Sequence, residues 1–203
     1  MHEVTTEDGY ILNVFRIPGM LTENDNGTSA SKPPVLLQHG LFDSAYCWIV
    51  NYADVAPAFV AARAGYDVWL GNSRGNTFSR AHVKYDPDHD KEEFWDYTWF
   101  DMGAHDLPAV IDMIQSKTDG QKVAYAGHSQ GTTQMFSALS ENSDYFADKI
   151  ALFVALGPVT KISHTQSQLL QLTAKFYEEV VDTGELLGIH EIGAADWFTH
   201  TAG

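Results

Sequence analysis

Cysteine is nearly absent from this sequence. Cys47 is the only one in 203 residues, so no disulfide can form within the chain, and cysteine usage does not identify a redox compartment. Basic residues are also few: 12 Lys and Arg stand against 27 Asp and Glu, for a net charge of −15. They are scattered singly, which argues against nucleic acid as a partner. An anionic membrane surface would repel such a chain, whereas a neutral lipid interface would not. Long apolar runs are missing too, since a stretch such as Ile150 to Leu156 is far too short to cross a bilayer. No repeat of fixed period is evident. The opening Met1-His2-Glu3-Val4 leads straight into structured-looking sequence, so no secretory signal is visible within the chain.

Hydrophobic residues make up 44% of the sequence and aromatics 12%, enough to bury a core in one domain with at most a small appendage. Val4–Thr6 and Tyr10–Ile17 flank Glu7-Asp8-Gly9, whose Asp-Gly pair predicts a tight turn and hence an antiparallel hairpin. Pro18–Pro34 is polar and rich in Asn, Gly, Ser and Thr, the composition of a surface loop. Four continuously apolar runs follow, Val35–Gln38, Asp67–Leu70, Val123–Ala126 and Ala151–Leu156, each expected as a strand buried on both faces. Between them, helices are expected over Tyr52–Ala64, stopped by Gly65, over Phe100–Ile114, and from Thr132 to Leu139. Strands alternating with helices through short connections imply a mainly parallel sheet covered on both faces. After Gly157-Pro158 the pattern breaks, and Gln168–Val181 reads as an amphipathic helix. The chain therefore divides into a core over residues 1–157 and a cap-like segment over 158–203.

Gly127-His128-Ser129-Gln130-Gly131 fits G-x-S-x-G, with an apolar strand before it and a helical stretch after it. In that setting the glycines permit a sharp strand-to-helix turn. The turn would lift Ser129, the candidate nucleophile, to a helix N-terminus whose dipole favours a developing oxyanion. Gln38-His39-Gly40-Leu41 comes directly after the first buried strand, so the backbone N–H groups of Leu41 and Gln130 are the candidate oxyanion hole. His39 itself is expected to be structural, bonding loop backbone. Gly71-Asn72-Ser73-Arg74-Gly75-Asn76 lacks the spacing and the Lys-Ser/Thr ending of a phosphate loop, and is expected to be a structural loop in which Arg74 pairs a carboxylate. The aromatics Phe94, Trp95, Tyr97, Trp99 and Phe100 are assigned to packing.

Four segments together resemble the acid lipase family of α/β hydrolases, which includes gastric and lysosomal acid lipases and steryl ester hydrolases. They are Leu36–Leu41, Val68–Arg80, Asp106–Ala109 and Gly127–Thr132. The similarity runs from about Val4 to the end in the family's order, and is looser over Leu186–Trp197. It implies an α/β-hydrolase fold, an N-terminal hairpin and mainly parallel sheet with helices on both faces, followed by part of a helical cap. It further implies a Ser-His-Asp esterase acting on neutral lipid esters at a lipid–water interface, with no cofactor and no metal, in a secreted or lysosomal setting if a signal lies upstream.

In this family the acid and the histidine follow the serine on loops after two later strands. Only residues 130–203 follow Ser129 here, too few for two further strand–helix units of about 30 residues each. Asp144, Asp148, Asp182 and Asp196, and His164, His190 and His200, follow no recognisable later strand, and His128 should point away along its strand. The expectation is therefore a fragment of a longer lipase, lacking the triad acid and histidine and by itself inactive. The alternative is a shortened, non-catalytic lipid- or partner-binding protein that keeps the elbow as structure. Acyl transfer to an alcohol would use the same residues as hydrolysis.

Overall fold

The computed structural model describes residues 1–19, 32–161, 166–168 and 171. Most of the Pro18–Pro34 loop, most of the amphipathic stretch Gln168–Val181 and nearly all of the cap-like segment lie outside the described residues.

The Asp-Gly turn forms as expected. Gly9 takes φ of +104°, a left-handed conformation that glycine adopts without a Cβ penalty, and its N–H donates to the Thr6 carbonyl at 3.1 Å. It joins β1 (His2–Thr5) to β2 (Tyr10–Ile17), paired antiparallel with His2 opposite Val14. The remaining strands are β3 (Pro34–Gln38), β4 (Asp67–Leu70), the short β5 (Ala81–His82), β6 (Val123–His128) and β7 (Ile150–Leu156). Their order across the sheet is β1-β2-β4-β3-β6-β7, with β5 added against β2. The β2–β4 pairing is antiparallel and those from β4 through β3 and β6 to β7 are parallel, which is the mainly parallel sheet read from the sequence.

Strand position decides which apolar runs are buried. β4, interior to the sheet, is buried along its whole length. β7 is not buried on both faces: it is the edge among the described strands, and Leu152, Val154 and Leu156 remain exposed.

Two helices also differ from expectation. The stretch predicted as Tyr52–Ala64 is helical only as α1 (Pro57–Arg63), because Ala56 precedes proline and sits at ψ 126°, outside the helical region. Gly65 ends it at φ +92°. The single helix predicted over Phe100–Ile114 is divided into α3 (Trp99–Asp101), a π-helical turn (Met102–Asp106) and α4 (Leu107–Lys117). The π turn brings Gly103 onto α5 (Gln130–Glu141), where a Cβ would come within 2.8 Å of the Gln134 carbonyl. Short helices α2 (Lys91–Trp95) and α6 (Ser143–Ala147) and a 3₁₀ turn (Ala45–Trp48) are also formed.

The core lies in two clusters on the two faces of the sheet. One gathers Leu12, Val14, Trp69, Phe94, Ile111, Ile114, Tyr125 and Met135, and the other Leu37, Trp48, Ala58, Ala62, Val68 and Leu70. Of the five aromatics assigned to packing, Phe94 is fully buried against Tyr10, while Trp99 and Phe100 are close to half exposed, so the packing role does not extend to them.

Candidate active site

Strand β6 ends at His128 and helix α5 begins at Gln130, leaving Ser129 as the single connecting residue. Its φ of 51° and ψ of −115° are strained for any residue with a Cβ. Backbone partners hold it there. The Ser129 N–H donates to the Leu156 carbonyl of β7 at 2.9 Å, and its carbonyl accepts from the Thr132 N–H at 2.9 Å and the Thr132 hydroxyl at 2.6 Å.

The flanking glycines are required by contact. A Cβ on Gly127 would stand 2.7 Å from the Gly131 carbonyl, and one on Gly131 would reach 2.6 Å from the Gln38 carbonyl oxygen and 2.8 Å from that of His39. The first turn of α5 therefore lies directly against the end of β3. The buried Tyr125 hydroxyl reinforces this approach by donating to the Gly131 carbonyl at 2.6 Å.

Gly40 lies beside the elbow. A Cβ there would sit 3.1 Å from the Ser129 Cβ, so the loop leaving β3 passes immediately beside the serine. Leu41 follows, its side chain half exposed. Among the described residues, neither the Leu41 N–H nor the Gln130 N–H has an acceptor. Phe42 continues the loop at φ 58° with its ring largely exposed.

His39 is structural in the sense expected. Its Nδ1 lies 2.7 Å from the Gly40 carbonyl, and its Nε2 receives the Ser73 N–H at 3.0 Å with the Asn76 side-chain amide at 3.1 Å. Burial lowers its pKa, which keeps the ring neutral. The loop after β4 thereby braces the loop after β3, and Asn72 adds a second tie by accepting the Ala45 N–H at 2.9 Å. That is the structural-loop role assigned to residues 71–76.

Arg74 pairs not one carboxylate but two. Its guanidinium meets Asp106 at 2.7 Å and Asp8 at 2.6 Å and lies 4.0 Å over the Tyr10 ring. Burial pushes Asp106 up to about 6 although Arg74 pulls the other way. At the less buried Asp8, burial also raises the pKa, but the hydrogen bonds from Arg74 and Thr6 outweigh it and leave the group below its ordinary value.

Sequence reasoning missed a second buried set. The Gln38 and Gln134 amides both donate to the Ser73 hydroxyl, at 2.8 and 3.0 Å, joining β3, α5 and the loop after β4 beneath the site. The only signal was a polar residue closing the apolar run Val35–Gln38.

Of the residues weighed as acid or base, Asp144 lies in the first turn of α6 and is exposed, as is Asp148 just beyond it. His128 is exposed, its ring beside Gly40 and Gly157. His164, Asp182, His190, Asp196 and His200 lie outside the described residues.

A strand–turn–helix elbow carrying a strained serine, with the loop leaving β3 beside it on a mainly parallel sheet, is the arrangement of the α/β hydrolases. Residues 33–188 match the α/β hydrolase fold family and residues 1–52 match its partial α/β-hydrolase lipase region; the chain belongs to this family. It is 50% identical to gastric triacylglycerol lipase of Rattus norvegicus over 85% of this chain and 42% of that protein. It is 48% identical to lipase member K of Homo sapiens, again over 85% of this chain and 42% of the relative. The chain thus spans less than half the length of these relatives. Among solved structures, a thermophilic esterase from Thermogutta terrifontis matches with a TM-score of 0.53 at 16% identity, covering 88% of this chain and 52% of that one. An epoxide hydrolase from Vigna radiata matches with a TM-score of 0.51 at 18% identity, covering 86% and 46%. At such identities the likeness concerns the fold alone.

Proposed function

We propose that this chain carries the nucleophile half of a lipase that hydrolyses neutral lipid esters, triacylglycerols or steryl esters, with Ser129 as the attacking residue. The observation that carries the reading is the strained Ser129 backbone at the N-terminus of α5, beside Gly40 and two amides without acceptors among the described residues. The names of the relatives, gastric triacylglycerol lipases among them, support the substrate class.

In this reading the Ser129 hydroxyl attacks the ester carbonyl and forms an acyl-enzyme. The alcohol leaves with a proton, and water then releases the fatty acid. The negative charge on the tetrahedral oxygen is received by the Leu41 and Gln130 N–H groups, each worth about 3 kcal/mol of barrier, and by the positive end of α5. The triad acid and histidine are assigned to the part of the lipase architecture that this chain does not span. The core and cap division at residue 157 belongs to the same proposal. So does a neutral lipid–water interface as the working surface, in a secreted or lysosomal setting. Among the described residues no helix is long and apolar enough to cross a membrane.

The test is activity-based labelling of the full-length protein with a fluorophosphonate, followed by peptide mapping. The adduct is expected on Ser129 and absent from Ser129→Ala. An adduct elsewhere with Ser129 untouched defeats the assignment.

A further inference from the structure

We infer that His39 is a positioning residue for the oxyanion hole: its ring locks the Gly40–Leu41 peptide so that the Leu41 N–H faces the serine side. The inference rests on the reading of Ser129 and Leu41 given above.

The argument begins with the peptide unit. Gly40 C=O and Leu41 N–H belong to the same planar group, and the chain's described peptides contain no cis bond, so the two point in opposite directions. Fixing the carbonyl fixes the amide. His39 holds that carbonyl at 2.7 Å through Nδ1, and because a carbonyl can only accept, Nδ1 carries the proton.

The ring is pinned in this tautomer from its other side. Nε2 faces two donors, the Ser73 N–H at 3.0 Å and the Asn76 amide at 3.1 Å, so it is the accepting nitrogen. Asn76 is itself held by its donation to Asn72 Oδ1 at 2.9 Å, and Asn72 in turn anchors to the β2 carbonyl of Asn13 at 2.8 Å. His39 is only 3% exposed, so water does not compete for either nitrogen. A relay of hydrogen bonds therefore runs from β2, through the loop after β4 and the imidazole, to one of the two peptides whose N–H groups are assigned to the oxyanion hole. Without it, the Gly40–Leu41 peptide could rotate, aided by a glycine on its N-terminal side, and the donor would leave the reacting oxygen.

The role is separable from simple packing. Asparagine places its side-chain amide near the position of Nδ1 and can still donate to the Gly40 carbonyl, whereas leucine fills similar space and cannot. In the full-length protein, His39→Leu is expected to lower kcat by about 10²-fold, of the order seen when an oxyanion donor is lost, with KM changed less than about threefold. His39→Asn is expected to recover at least about tenfold of that loss. A fall in kcat for His39→Leu that His39→Asn does not relieve, or unchanged kcat in both, overturns the inference. If His39→Leu does not fold by circular dichroism, a folded His39→Ala takes its place as the variant without the donor: a loss of kcat that His39→Asn relieves by at least about tenfold upholds the role, and an unchanged kcat in both, or a loss that His39→Asn does not relieve, overturns it. Ser129→Ala is run beside them. Full turnover in that variant removes the underlying reading itself, whereas an inactive Ser129→Ala with unaffected His39 variants removes only the positioning role.

Discussion

At the scale of the single residue, Ser129 holds a backbone conformation that costs free energy in every folded molecule, about 1–3 kcal/mol for such an outlier. Local partners repay this only in part, which gives a test independent of catalysis. Ser129→Gly should be more stable to urea than Ser129→Ala by about 1–3 kcal/mol, since glycine tolerates positive φ while alanine keeps the Cβ that is strained, and neither variant should turn over ester. Equal stability of the two would place the strain elsewhere. The elbow was legible in the sequence because its constraints are local contacts: Gly127 and Gly131 must lack a Cβ for β6 and α5 to close on one another. The Leu41 loop was legible for the same reason, through Gly40. What the sequence could not disclose is that Gln38, Ser73 and Gln134 meet beneath the site, because their partners lie 35 and 61 residues apart and no periodicity links them.

At the scale of the element, Arg74 ties the β1–β2 turn and the π-helical turn to the loop after β4. Removing a buried charge partner is far more costly than the pair is stabilising, so Arg74→Met should lose about 3–5 kcal/mol in denaturant unfolding near pH 8. The sign of its pH dependence follows from both carboxylates. Asp106, raised by burial to about 6, loses stability as pH climbs through that value, and without Arg74 it rises further, so its penalty grows toward alkaline pH. Asp8, held low by Arg74, contributes stability above the ordinary carboxylate value and loses it as pH falls, so the variant forfeits that contribution in the same alkaline range. The deficit of Arg74→Met is thus expected to be larger at pH 8 than at pH 4, and a deficit that shrinks with rising pH would contradict this electrostatic description. The carboxylate partner of Arg74 was anticipated from the sequence, but Asp8 lies 66 residues away and only the hairpin's placement brings it there. Pro57 was a readable start signal for α1 that the apolar spacing of the preceding residues obscured. The π turn at Met102–Asp106 has no comparable marker, because it answers to a close approach of Gly103 and α5 that only the fold creates.

At the scale of the whole molecule, the described sheet ends on β7 with apolar side chains exposed, and the chain covers less than half the length of the lipases it resembles. The alternation of strands and helices made the sheet's parallel character readable, whereas β7's exposure depends on its place in the strand order, which no single run of letters encodes. Net charge acts at this scale too. With −15 on the chain, adsorption to an uncharged triacylglycerol emulsion should exceed adsorption to one doped with anionic phospholipid, and added salt should narrow the difference by screening. Stronger adsorption to the anionic emulsion would show that a local patch, rather than the overall charge, governs contact. The most direct test of the central claim is single-turnover acyl-enzyme formation by the full-length protein on a chromogenic fatty acyl ester. A burst of alcohol release accompanied by acylation at position 129 is predicted, with burst and steady-state turnover both lost in a folded Ser129→Ala. Undiminished ester hydrolysis by that variant would contradict it.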